Sequence, residues 1–240
     1  MDTGRPFLIL RAGSLATVSP EFIRDFGDTE RTFLSSAGLT SSEAVVTDIE
    51  AGELPPSAPR DYAGIIVTGS GAMVSTEAPW MLESGRWLRD AVECDVPVLG
   101  VCFGHQLLSH ALGGRVGRNP QGVEGGTVEV RFEASDDPLF GVMPQCADLQ
   151  AHHYETVLEA PSGSIVLASS DRDRHQVLRH APAAWGVQFH PELTLPMMSM
   201  LMDALATDDD QHGHAQMRDT LRPSPEGPSL LKRFVAFARG

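Results

Sequence analysis

Short apolar runs alternate with longer stretches of helical period along the first half of the chain. Residues 7–10 (Phe-Leu-Ile-Leu) predict a strand, residues 19–37 a helical stretch ended by Gly38, and residues 44–46 a second short strand. Pro55 and Pro56 mark a turn, because proline removes a backbone donor. Residues 63–67 predict a third strand, residues 80–92 a helix with apolar positions at turn spacing, and residues 96–101 a fourth strand. That fourth strand is apolar on both faces, as expected of a central strand in a parallel sheet covered by helices. Residues 106–112 predict a helix closed by Gly113-Gly114.

The second half has a different rhythm. Residues 126–132 alternate and predict an antiparallel strand; 165–168, 176–178 and 184–189 predict further strands. Helices are expected over 194–206 and 229–238. Between them, the acidic run Asp208-Asp209-Asp210 and the prolines 223–228 make residues 207–228 read as a mobile acidic loop or frayed helix. A β–α–β–α–β opening followed by mixed strands predicts one α/β domain over residues 1–240. Its central sheet should be doubly wound and mostly parallel, with helices on both faces and an antiparallel extension.

Composition narrows the function. With 240 residues, 42% of them hydrophobic, the chain can bury one sizeable core. A formal charge of −14 repels nucleic acid and anionic membrane, so neither is expected as a partner. Three scattered cysteines (Cys94, Cys102 and Cys146) do not make a disulfide framework, which suits a reducing, cytoplasmic setting. The first residues have no basic region followed by a long apolar stretch, and no run approaches the roughly 18 apolar residues of a membrane span. A soluble protein is the expectation.

The sharpest chemical feature is Gly100-Val101-Cys102-Phe103-Gly104, fed by a strand and left by a helix. This is a nucleophile elbow with cysteine in place of serine. The glycines relieve crowding at a turn that strains the nucleophile's backbone. The turn sets the sulfur at the carboxyl edge of the sheet, where open α/β folds place their sites. At a helix N-terminus a thiolate is stabilised, and the Phe103 N–H would point at a developing oxyanion.

A thiol needs a base, and the base an orienting group. His190-Pro191-Glu192, at the end of the strand over 184–189, offers both: the carboxylate can turn back onto the imidazole across a rigid proline. The small-residue loop Gly69-Ser70-Gly71 also follows a strand and can present a second backbone N–H to an oxyanion. As a dinucleotide loop it is poor, because Val74 stands where the third glycine belongs.

These residues resemble a known family. Gly100-Val-Cys102-Phe-Gly104-His-Gln106, running on to Gly113-Gly114, is similar to the signature of class I (triad) glutamine amidotransferases, and Gly186-Val-Gln188-Phe-His190-Pro-Glu192 to its histidine–glutamate signature. Thr68-Gly69-Ser70 followed by Pro79-Trp80 is similar to the branch containing the glutaminase domain of GMP synthase. The resemblance implies a flavodoxin-like amidotransferase fold and a catalytic set of Cys102, His190 and Glu192. It also implies an oxyanion hole from Phe103 and the Gly69, Ser70, Gly71 loop. Substrate contacts would come from Gln106 and from the segment His152, His153, Tyr154. Gly71 stands where relatives carry proline, which implies a looser loop. The sequence contains no Ser-Gly-Gly-x-Asp loop and no Walker-type loop.

The implied activity is hydrolysis of the glutamine side-chain amide to glutamate and ammonia through a cysteine thioester, with ammonia passed to a synthetase partner in trans. A free-standing γ-glutamyl hydrolase uses the same chemistry on γ-glutamyl amides. A catalytically silent binding module is the alternative of another class, and the intact triad residues count against it. No metal or organic cofactor is expected. His105 and His110 are five apart and do not share a helix face, and His212-Gly213-His214 reads as solvated loop. Cys94 and Cys146 read as packing residues.

Overall fold

The computed structural model describes residues 4–206 and 213–240. In chain order the elements are β1 (Phe7–Arg11), a 3-10 turn (Leu15–Thr17), α1 (Pro20–Phe26), α2 (Thr29–Ala37), β2 (Ala44–Asp48), β3 (Ile65–Val67), α3 (Pro79–Glu93), β4 (Val98–Val101) and α4 (Phe103–Ala111). Then come β5 (Arg115–Arg118), β6 (Glu124–Phe132), β7 (Cys146–His153), β8 (Glu155–Glu159), β9 (Ile165–Ser169), β10 (Val177–Ala181) and β11 (Ala184–Val187). The chain closes with α5 (Leu195–Leu205), α6 (His214–Asp219) and α7 (Glu226–Arg239).

One nine-stranded sheet runs β2-β1-β3-β4-β11-β10-β9-β6-β7. The first five strands pair in parallel, and the last four continue the sheet antiparallel. The expected fold class is therefore the observed one. Period-two alternation explains its two layers. Along β1, Phe7 and Ile9 join the core beneath α2 and α7, while Leu8 and Leu10 join the core beneath α3 and α4. A third, smaller core joins α1 to α5 through Phe22, Leu193, Met198 and Met202.

Three local readings change, and one segment without a predicted element gains one. The helical stretch over 19–37 is two helices, because Gly27 takes a positive φ of 86° and Asp28 then caps α2, accepting from the Thr29 N–H. The helix expected from 106 begins at Phe103. The polar segment around His152-His153 is the end of β7 leading into β8, and β5 pairs with β8 in a separate two-stranded sheet. Cys146 is exposed at the start of β7 rather than packed.

Residues 207–212, the acidic part of the segment expected to be mobile, lie outside the described residues. The part from 213 onward holds α6 and packs on β6, where the Arg222 N–H donates to Thr127 Oγ1 at 2.8 Å and its guanidinium pairs with Asp148. No described helix is long and apolar enough to cross a membrane.

Candidate active site

The carboxyl ends of β1, β3, β4 and β11 converge on one cavity of about 230 Å3. Cys102 sits between β4 and α4 with φ 50° and ψ −104°, a conformation that a residue with a side chain rarely adopts. Tight packing holds it there. A Cβ on Gly100 would run into the Gly104 carbonyl, and one on Gly104 into the Val67 carbonyl. Both glycines are thus required for α4 to lie directly on β3 and β4. As the first residue of α4, Phe103 has an N–H with no acceptor inside the helix.

His190 is anchored through its backbone N–H to the Gln150 carbonyl at 2.7 Å. Its Nδ1 is 2.7 Å from Glu192 Oε1, which leaves Nε2 as the ring atom that can serve the thiol. Both side chains are largely buried. The electrostatics of the group are coupled. Burial alone would raise the Cys102 thiol, but the charge and hydrogen bond of His190, with the charge of His153, bring it below its ordinary value. Burial alone would lower His190, yet Glu192 and the Cys102 thiolate hold it well above the usual histidine range. Thiolate and imidazolium stabilise each other.

The Gly69–Gly71 loop lies against this pair. A Cβ on Gly69 would fall 2.9 Å from His190 Cε1 and 3.7 Å from Cys102 Cβ. Thr68 Oγ1 donates to the Gly69 carbonyl at 3.1 Å, which turns the Ser70 N–H to the opposite side of that peptide. Ser70 Oγ accepts from the Ala72 N–H.

Gln106, His152, His153 and Tyr154 all line the cavity. Gln106 donates from Nε2 to the Glu155 carbonyl at 2.7 Å and to Gln188 Oε1 at 3.0 Å, so it also ties α4 to β8 and to the end of β11. The His152 carbonyl is 3.8 Å from Cys102 Sγ. The His152 ring contacts Tyr154 and His214. His214, read as part of a solvated loop, is buried at the start of α6, because His152 and the Tyr154 hydroxyl give its imidazole polar partners. His212 lies outside the described residues.

Sequence reasoning missed the polar layer beneath the site. His153 Nε2 is 2.9 Å from Glu124 Oε2, and its Nδ1 is 2.9 Å from the Glu155 carbonyl. Ser170 and Gln176 donate to Glu124, and Thr156 and the His175 N–H donate to Asp173. Burial would lower His153, but its hydrogen bond to Glu124 and the charges of Asp173 and Glu124 raise it. Burial raises Asp173. Glu124, His153 and Asp173 place donor atoms within 4.8 Å of one another, the arrangement among the described residues closest to a metal site. Those atoms are already engaged in the hydrogen bonds just described. Nothing in the β6 pattern signals that Glu124 is buried. The Glu155 carboxylate, fixed by the hydroxyl and N–H of Ser75, was likewise invisible, since Ser75 is 80 positions away.

His105 is fully buried against Gly186, and neither ring nitrogen has a hydrogen-bond partner. Burial and the neighbouring His180 hold it neutral, well below the usual range. His110 is half-buried and faces Glu77 at 3.6 Å.

The family model of glutamine amidotransferase class-I matches residues 29–204. A glutamine-hydrolyzing GMP synthase subunit of Halobacterium salinarum is 33% identical over 165 residues, which cover 68% of this chain and 83% of that protein. Gamma-glutamyl peptidase 5 of Arabidopsis thaliana is 27% identical over 233 residues, 92% of this chain and 93% of the relative. The chain spans 53% of a Saccharomyces cerevisiae relative and 24% of the GMP synthase of Thermosipho africanus. Among solved structures, a glutamine amidotransferase from Thermotoga maritima superposes with a TM-score of 0.76 at 18% identity, covering 98% of both chains. With the elbow, the strand-end loops and the family match in agreement, the chain belongs to the class-I glutamine amidotransferase family.

Proposed function

We propose that this chain is a thiol amidase that cleaves the side-chain amide of glutamine and of γ-glutamyl amides through a Cys102 thioester. The observation that carries the reading is that Cys102, His190 and Glu192 line one cavity, with the thiol brought down and the imidazole brought up by their mutual charge.

The Cys102 thiolate attacks the δ-carbonyl carbon, and the carbonyl π pair moves onto oxygen. Phe103 N–H and a backbone N–H of Gly69, Ser70 or Gly71 stabilise that oxyanion. As the carbon–nitrogen bond breaks, the His190 Nε2 proton passes to the departing amine. Neutral His190 then takes a proton from water, whose oxygen attacks the thioester, and glutamate leaves as the thiolate and imidazolium are restored. Glu192 keeps the His190 tautomer and ring orientation fixed throughout. Gln106 and the segment His152, His153, Tyr154 hold the glutamyl end.

Two physiological roles share this chemistry. Likeness to the Halobacterium GMP synthase subunit supports ammonia delivery to a synthetase in trans. Likeness to a gamma-glutamyl peptidase over nearly the whole chain supports a free-standing hydrolase, and the apolar composition of one cavity wall specifically favours it. Glutamate release from L-glutamine and from γ-glutamyl amides, by the parent chain and by Cys102→Ala, tests the amidase reading. Turnover that survives in Cys102→Ala refutes it.

A further inference from the structure

The cavity has two unlike ends. One is polar, made by Gln106, His153, Tyr154 and Glu155. The other is apolar: Leu15, Val18 and Leu205 offer surface to it, backed by the buried Leu193, Met198 and Met202, and all six come from the 3-10 turn after β1 or from the segment that follows Glu192 into α5. The direction of catalysis assigns the two ends. His190 gives its proton to the departing nitrogen, so the amine must leave on the His190 side. Leu193 is three residues beyond His190, its N–H bonded to the His190 carbonyl, and it begins the apolar wall.

Charge narrows the amine further. No lysine or arginine among the described residues lines the cavity. Of its two carboxylates, Glu155 is held by Ser75, and Glu192 is engaged with His190 through Oε1 while its Oε2 is buried without a hydrogen-bond partner. A leaving group carrying a carboxylate, such as an amino acid or a peptide, would meet only the His190 imidazolium, already paired with Glu192 and the Cys102 thiolate, and would lose its hydration. Ammonia would leave the wall uncovered. An alkyl group would bury against it.

We infer that the preferred substrate is the γ-glutamyl amide of a neutral, apolar amine, with its alkyl group against the 3-10 turn and α5. This rests on the thiol-amidase reading above and adds the identity of the leaving group. The test is kcat/KM for L-glutamine, for γ-glutamyl methyl-, ethyl-, propyl- and butylamide, and for γ-glutamylglycine, with the parent chain, Leu205→Asn and Val18→Asn. Val18 is on the exposed rim and Leu205 only half-buried, so neither change opens a core.

The expected result is a rise of about fourfold per methylene in the parent chain, the value of burying one such group. The series should be flattened in both variants, and γ-glutamylglycine should fall below the ethylamide. A flat or falling series with glutamine preferred, or γ-glutamylglycine preferred, overturns the apolar-amine inference. If Cys102→Ala is inactive in those same assays, the amidase reading survives that loss. Absence of turnover on every amide, with no labelling of Cys102 by an electrophilic glutamine analogue, overturns both.

Discussion

Replacing Glu192 by glutamine removes one charge and almost no volume, so it isolates the electrostatic role of the third residue. The His190–Glu192 contact is 2.7 Å between Nδ1 and Oε1, and the side chains are 13% and 5% exposed. Unit charges about 4 Å apart in an effective dielectric of roughly 20 interact by about 4 kcal/mol. A glutamine oxygen still accepts the Nδ1–H, which returns about 1 kcal/mol. Losing the carboxylate also relieves a weaker repulsion of the Cys102 thiolate. The net loss of the thiolate–imidazolium pair is about 2 kcal/mol, or roughly 30-fold in kcat/KM. The sign of the pH effect follows from direction alone. Glu192 raises His190, the reactive form needs His190 protonated, and so the alkaline limb of the profile should move to lower pH in Glu192→Gln. The assay is kcat/KM for the best γ-glutamyl amide across roughly pH 5 to 10, the range that brackets a shifted thiol–imidazole pair, with the rate of Cys102 alkylation over the same range and a melting curve to confirm folding. A variant within about twofold of the parent, with an unmoved alkaline limb, would refute the reasoning.

Further outcomes concern the elbow and the layer beneath it. Gly100→Ala should cost about 2 kcal/mol, because the new Cβ meets backbone of Gly104 and His105 that cannot move alone. A fall of roughly 4–8 °C in Tm is expected, and an unchanged Tm would show that α4 does not lie as tightly as described. Glu124→Gln should destabilise the fold by about 3 kcal/mol by breaking a buried pair. His153 has a raised folded-state pKa, so its contribution is fully present below the ordinary histidine range and fades as pH rises through that raised value. Denaturant unfolding should accordingly show the largest difference between parent and variant at acid pH; a difference that grows with pH contradicts the assignment.

Much of this architecture is legible from local signals. The unbroken apolar runs of residues 7–10 and 96–101 reflect strands whose two faces enter two different cores, Phe7, Ile9, Leu99 and Val101 on one side and Leu8, Leu10 and Val98 on the other. The elbow is legible because steric demand leaves glycine at 100 and 104. His190 and Glu192 are legible because they are two residues apart. Other features depend on contacts remote in sequence. Glu124 reaches His153 across 29 positions, and Ser75 reaches Glu155 across 80. No periodicity encodes such pairings. The β7–β8 strands have no local signal for another reason: His153 and Glu155 are polar residues that are buried because their partners lie inside the protein, which breaks the apolar pattern of a strand. The apolar wall escaped notice because Leu193, Met198 and Met202 carry the same pattern whether they face a core or a cavity. They do both.

Passage of a γ-glutamyl group through a covalent bond to the sulfur of Cys102 is the step on which the rest depends. Acid quenching during turnover of a γ-glutamyl amide, followed by peptide mass spectrometry, tests it directly. The expected result is a γ-glutamyl adduct confined to the peptide carrying Cys102. The adduct should be removed by hydroxylamine and absent in Cys102→Ala. Product formed at an undiminished rate with the adduct on another residue, or with Cys102 replaced by alanine, would contradict it.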